Sequence, residues 1–349
     1  MQKAGYDVTV VALHEVPLLE FETISNIAVN RIKLKSKNWS KKRVVQIIKY
    51  LEFLYKTVIQ YKESDVLHCN DLGTLPIGVI VKKLYNKDIK IVYDAHEYET
   101  ETHYTKGFRK IMVKVMERVL IKYVDKTITV SSKIADEYVR LYNIERPSLV
   151  LNTPLLQEVK KKDLFRERFN IPKSSKIFLY QGALNRGRGI EMILDAFSSL
   201  EAKQIVVFMG YGILEGEIKK YSQKYPNIFL HEAVSPEKLL SYTSSADFGI
   251  SLIEDSCLSY RYCLPNKMFE YIMVGLPVIV SNLPEMVKII EANYIGVVSK
   301  EYSTKGLKEA IRATDQLNSE KVKKEIQKVK KIYNWQAQEK ILLEVYNAL

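Results

Sequence analysis

The chain has 349 residues, enough for two domains at about 150 residues each. Hydrophobic residues make up 47% and charged residues 27%, the balance of a chain with a real core, which excludes a disordered chain, a collagen and a disulfide-stapled miniprotein. Lysine and arginine total 53 against 41 acids, and the net charge of +12 favours an anionic partner: nucleic acid, lipid headgroups or a phosphorylated substrate.

From the N-terminus, Met1-Gln2-Lys3-Ala4-Gly5 runs directly into a predicted strand with no secretory signal. Strands are predicted at 7–13, 27–34, 65–69, 89–93, 127–131 and 148–152, with helical segments between them. The segment from Arg31 to Lys62 carries ten basic residues and one acid, Glu52. Its second half has helical spacing, with Val44, Ile47, Ile48, Leu51, Leu54 and Val58 on one stripe. A second basic helix spans 108–123, with Ile111, Met112, Val115 and Val119 on one face and Arg109, Lys110, Lys114, Arg118 and Lys122 around it. Two readings of these helices stand: both stripes pack onto a sheet, or one basic face sits on an anionic membrane leaflet. Nucleic acid is not the expected partner, because no helix-turn-helix, zinc-finger or RNP-like motif accompanies the charge.

After a predicted domain boundary at Asn152-Thr153-Pro154, strands recur at 176–181, 204–209, 227–231, 247–252, 277–281 and 295–298. Many are continuous apolar runs, as expected of parallel strands buried on both faces. The fold class is therefore α/β, two doubly wound Rossmann-like domains facing a cleft. The divisions are 1–154, 155–331 and a C-terminal helix, 332–349. Cys69, Cys257 and Cys263 form no CxxC pair, and no run of 18 apolar residues occurs, so a reducing, cytoplasmic setting without a transmembrane helix is expected.

Two segments carry the chemistry. In Gln181-Gly182-Ala183-Leu184-Asn185-Arg186-Gly187-Arg188-Gly189, a strand ends, a loop rich in glycine and arginine follows, and a helix begins. Glycines let backbone N–H groups approach a ligand, a helix start favours anions, and arginine forks phosphate oxygens, so this is a diphosphate cradle or else an ordinary capped loop. In Leu264-Pro265-Asn266-Lys267-Met268-Phe269-Glu270, a loop enters a helix whose one face carries Asn266, Lys267 and Glu270. The lysine suits phosphate and the carboxylate suits vicinal hydroxyls; the alternative is a plain ion pair between Lys267 and Glu270.

These segments, with Gly275-Leu276-Pro277-Val278-Ile279, Gly210-Tyr211-Gly212, Tyr93-Asp94-Ala95-His96-Glu97 and the closing Asn334-Trp335, resemble the GT-B-fold glycosyltransferases of family 4 over essentially the whole chain. The resemblance implies a retaining transferase working without metal and without a protein nucleophile. It implies a nucleotide-sugar donor and a glycan or lipid-linked acceptor of cell-envelope polysaccharide synthesis. Residue by residue, it puts Arg186 and Arg188 at the donor diphosphate, Gly182, Gly210 and Gly212 at the donor, and Glu232 and Val234 at the nucleobase. Leu264, Pro265, Asn266 and Lys267 line the sugar and diphosphate, and Glu270 holds the ribose. His96, Arg188 and Glu270 would be catalytic, and Asp71, His96 and Glu97 would face the acceptor, with His68 and His103 as weaker candidates.

Three departures accompany it. Tyr262 stands where the family has the first of its paired glutamates, so that contact to the sugar is lost or replaced. Ala183 replaces the usual arginine, with Arg186 as its substitute. The family's first strand and Gly-rich loop are expected to be absent, which motivates the alternative of a non-catalytic or truncated GT-B subunit that binds a nucleotide sugar or a partner transferase. A sugar-nucleotide epimerase of the same fold is disfavoured by the context of Glu270.

Overall fold

The computed structural model describes residues 1–102 and 105–349, so His103 lies outside the described residues. The strands are β1 (Thr9–Leu13), β2 (Phe21–Ile24), β3 (Ile27–Ile32), β4 (Val66–Asn70), β5 (Lys90–Ala95), β6 (Lys126–Thr129), β7 (Ser148–Leu149), β8 (Lys176–Gln181), β9 (Gln204–Met209), β10 (Ile228–His231), β11 (Phe248–Ser251), β12 (Val278–Ser281) and β13 (Gly296–Ser299). The first helices are α1 (Arg43–Tyr61), α2 (Leu75–Leu84), α3 (Gly107–Leu120), α4 (Ser132–Tyr142) and α5 (Leu164–Phe169). They are followed by α6 (Ile190–Phe197), α7 (Glu215–Lys224), α8 (Pro236–Thr243), α9 (Leu258–Arg261) and α10 (Asn266–Met273). The last are α11 (Pro284–Asn293), α12 (Thr304–Ala313), α13 (Ser319–Ile332) and α14 (Trp335–Asn347).

The second half is one parallel sheet in the order β10-β9-β8-β11-β12-β13. Successive side chains of a strand point to opposite faces. Here both faces are apolar: Ile177, Leu179 and Val207 pack towards α10 and α13, while Phe178, Tyr180 and Val206 pack towards α6 and α12. Helices on both sides are why these strands read as unbroken apolar runs.

In the first half, β4-β5-β6-β7 form a parallel sheet and β1-β3-β2 a separate one. Among the described residues no ladder joins β1 to β4, and Val10 and Leu13 of β1 are exposed. The sheets are parallel as expected except for β2, a strand not predicted from the sequence, which runs antiparallel to β3. Ser25 and Asn26, both at positive φ, close the two-residue turn between Ile24 and Ile27. Such turns match strand twist, but Ser-Asn is a weak signal in a sequence beside Asn-Gly.

The halves are tied at several points. Helix α14 returns to the first half, where Leu342 and Val345 pack on Val92, Ile128 and Val150, and Gln338 Oε1 accepts the Leu151 N–H at 2.9 Å. The buried Glu285 of α11 accepts the Lys133 N–H at 3.1 Å.

One glycine positions the later site. A Cβ on Gly249 of β11 would lie 2.2 Å from the Tyr271 ring. Tyr271 is fully buried; its hydroxyl donates to Leu179 O and accepts the Gln181 N–H, each at 3.0 Å, which fixes α10 against the end of β8. Gly249→Ala is therefore expected to cost about 2–3 kcal/mol by overpacking. Urea unfolding would read this as a lower midpoint at unchanged slope.

Candidate active site

The conserved topology of doubly wound sheets puts ligands beyond the carboxyl ends of strands, and the largest grouping of sequence-predicted residues lies there. A cavity of about 480 Å³ between the halves is lined by His96, Glu97, Gly182, Arg188, Leu264, Pro265, Asn266, Lys267 and Glu270. Its remaining wall includes Tyr180, Gln181, Asn152, Val130 and Tyr260.

The second-half wall is built from the end of β8 and the start of α10. Gly182 holds φ +111°, open to glycine, and leaves its Cα facing the Lys267 side chain. Lys267 does not pair with Glu270: its Nζ lies 3.6 Å from the centre of the Tyr180 ring, a cation–π contact. Burial pushes the Lys267 ammonium down to about 7, with the Arg188 charge adding to the effect and Glu270 opposing it. Glu270 instead accepts from Gln181 Nε2 at 2.5 Å, and Gln181 Oε1 accepts from Thr243 Oγ1 at 2.8 Å. Burial raises the Glu270 carboxyl, against the Gln181 bond and the Lys267 charge. The carboxyl is thus aimed and held before any ligand arrives. Arg188 reaches the same space with its guanidinium 5.0 Å from the Tyr260 ring centre. Gly189 behind it begins α6 at φ +76°, where a Cβ would lie 2.6 Å from Leu252 Cβ.

Gly210 and Gly212 do not line the cavity. They let the turn after β9 lie on the Gly182 loop: a Cβ on Gly210 would meet Gly182 O, and one on Gly212 would sit 2.5 Å from Leu184 O. Arg186 is exposed on the same loop, outside the cavity lining. Glu232 is exposed beyond β10, and Val234 packs on the apolar core; neither lines the cavity. Tyr262 turns away from it as well and packs with Leu258 against the first-half core around Tyr98 and Tyr138. The residue in the glutamate's place is therefore an inter-domain contact.

The facing wall comes from the carboxyl ends of β4 and β5. His96 Nε2 lies 3.3 Å from Asp94 Oδ2, and His68 Nε2 lies 3.2 Å from the same oxygen. His68 Nδ1 is 2.7 Å from the Tyr346 hydroxyl of α14, so the returning helix is linked through His68 and Asp94 to His96 at the cleft. Asp71 follows β4 at φ +60° and lies outside the cavity lining. Burial raises its carboxyl, while His96 holds it down. Asp71 Oδ1 and His96 Nδ1 are buried without a hydrogen-bond partner among the described residues. Two such groups close together are the kind of site a ligand hydroxyl satisfies. Among the described residues no group of three His, Cys, Asp or Glu could hold a metal ion.

Several of these residues escaped the sequence reading. Gln181, Thr243, Tyr180 and Asp94 act through partners 26 to 89 positions away. Gln181 carried a signal, a polar residue ending an apolar strand directly before a glycine, and Asp94 carried one as part of the Asp-x-His-Glu run that holds His96.

Residues 1–152 match the description Glycosyltransferase Family 4, and residues 161–331 match Glycosyl transferases group 1. A chitobiosyldiphosphodolichol beta-mannosyltransferase of Debaryomyces hansenii is 22% identical over 296 residues, 75% of this chain and 61% of that protein. The chain thus spans about three fifths of that relative's length. Among solved structures, sucrose-phosphate synthase from Thermosynechococcus elongatus superposes with a TM-score of 0.79 at 17% identity, covering 99% of this chain and 90% of that one. Anabaena HepE in complex with UDP-glucose gives 0.69 at 12%, covering 93% and 87%.

Proposed function

We propose, on the premise that this chain belongs to the family 4 glycosyltransferases of the GT-B fold, that it moves a sugar from a nucleotide-sugar donor to a lipid-linked glycan with retention of anomeric configuration, in cell-envelope polysaccharide synthesis. The observation that carries the reading is one cavity in which Arg188, Lys267 and Glu270 of the second half face His96 of the first. A diphosphate lies between Arg188, Lys267 and the loop after Gly182, the ribose on Glu270, and the base towards Glu232 and Val234 beyond β10. HepE, which holds UDP-glucose, supports a nucleoside diphosphate donor. The dolichol-linked substrate in the name of the Debaryomyces relative supports a lipid-linked acceptor.

Both cavity cations stand on the donor side. The anomeric carbon–oxygen bond breaks towards them, and the acceptor hydroxyl attacks from the face the diphosphate leaves. The hydroxyl proton passes to the departing phosphate oxygen. No protein nucleophile and no metal enters the scheme; the catalytic load is electrostatic and positional. His96 and Glu97 orient the acceptor from the opposite wall, with Asp71 acting through His96.

The test is thermal stabilisation of the purified chain by a panel of nucleoside diphosphates and nucleotide sugars. One donor is expected to stabilise selectively, with the effect abolished in Glu270→Ala and unchanged by a chelator. Stabilisation by none of them would overturn the reading, and a product of inverted anomeric configuration would overturn retention.

A further inference from the structure

Helix α3 turns its main apolar stripe outward: among the described residues, only Val113 and Leu120 of its large apolar side chains pack on the first-half core. At about 100° per residue, Phe108, Ile111, Met112, Val115 and Val119 fall within an arc of about 100°, and each is between 52% and 76% exposed. Diametrically opposite stands Glu117, the one acid of the helix, and it is fully buried. Its carboxyl accepts hydrogen bonds from Tyr93 at 2.8 Å, Tyr138 at 2.6 Å and Tyr142 at 2.5 Å. The start of the helix is held by Glu101, which pairs with Lys110 at 2.6 Å and Lys114 at 2.7 Å. A soluble helix buries its apolar stripe; this one is pinned by hydrogen bonds and ion pairs so that the stripe faces out. Leaving five large apolar side chains in water is costly unless something covers them.

The charges around the stripe identify what does. With Glu117 buried, every charged residue on the outer surface of α3 is basic, and Arg109 and Arg118 flank the stripe on its two sides. The exposed N-terminal half of α1 repeats the pattern, with Val44, Ile47 and Leu51 exposed and Lys41, Lys42 and Arg43 at its start. Helix α2 packs against both α1 and α3. An apolar stripe edged only by cations suits the interface of an anionic bilayer, where the side chains enter the acyl boundary and the cations meet headgroup phosphates.

We propose that the outer face of α3 docks the protein on an anionic membrane, with Phe108, Ile111, Met112 and Val115 inserted and Arg109 and Arg118 on the headgroups. This deepens the reading above, on which it rests for its purpose: it names the surface across which a lipid-linked acceptor reaches the cavity.

The experiment is vesicle flotation of the full chain with phosphatidylcholine alone and with an equimolar mixture of phosphatidylcholine and phosphatidylglycerol. Wild type is expected to float with the mixture and not with the neutral vesicles. Ile111→Glu with Val115→Glu is expected to abolish flotation. Arg109→Gln with Arg118→Gln is expected to lower affinity about 10- to 30-fold. Both double variants should keep donor stabilisation, since neither touches the cavity. Flotation that is equal in the two lipids, or unchanged by the glutamates, overturns the proposal. So does a wild-type dimer that the glutamates convert to monomer without any lipid binding, which would give the face to a second copy. Flotation that holds while every nucleotide fails to stabilise upholds the docking and counts against transfer.

Discussion

Arg188→Ala is expected to lower kcat by about 10²- to 10³-fold. Arg188 reaches the cavity from the start of α6, and its guanidinium is kept in place against Tyr260. In the proposed reaction negative charge grows on the departing diphosphate, and a fixed cation strengthens its hold as that charge grows. Removing a group used mainly in the transition state lowers kcat more than it raises KM. Arg186→Ala is the control: exposed and outside the cavity lining, it should change kcat by less than about threefold. Initial rates across donor concentration separate the two parameters. Equal losses in the two variants would show that the loop arginines act only as diffuse charge.

The second large effect is a pH dependence of donor affinity set by Lys267. Its ammonium titrates near 7 because burial removes its water, and Arg188 beside it opposes a second positive charge. A bound diphosphate favours the protonated form and raises that pKa. The sign follows from linkage: below pH 7 the unliganded protein already carries the charge, so affinity is flat. Above pH 7 binding takes up a proton, and Kd rises by up to about tenfold per pH unit until the pKa of the complex is reached. A nucleotide sugar is the proper ligand, since its diphosphate diester does not itself titrate in this range. Calorimetry near pH 8 in two buffers of different ionisation enthalpy should detect the proton uptake. Lys267→Arg, charged throughout, should lose both the uptake and the slope. A variant with the wild-type slope would assign the titration to another group.

The strand at 176–181 and the helix entering at Pro265 could be read before any coordinates because each is a local event. Continuous β-branched runs bounded by glycine specify buried parallel strands, and β8 and β9 match the expected limits. That Gly182, Arg188, Lys267 and Glu270 share one cavity was legible in part, because a strand end followed by glycines and a helix start places its residues at the carboxyl edge of a parallel sheet. The hairpin of β2 was not, because Ser25-Asn26 takes its left-handed geometry only with β3 beside it.

What the amino-acid order determined alone is therefore the alternation of strands and helices, the glycine turns and the cationic loop, all set by forces acting over a few residues. Partners across the fold were decided by tertiary structure. Lys267 and Glu270, three apart on one helix, would pair in water, yet one lies over Tyr180 and the other bonds Gln181. Two equally amphipathic helices could have buried their stripes, but α3 buried Glu117 because three tyrosines from β5 and α4 converge on it. Burial and pairing depend on which surface arrives opposite a side chain, and that is settled only when distant segments pack.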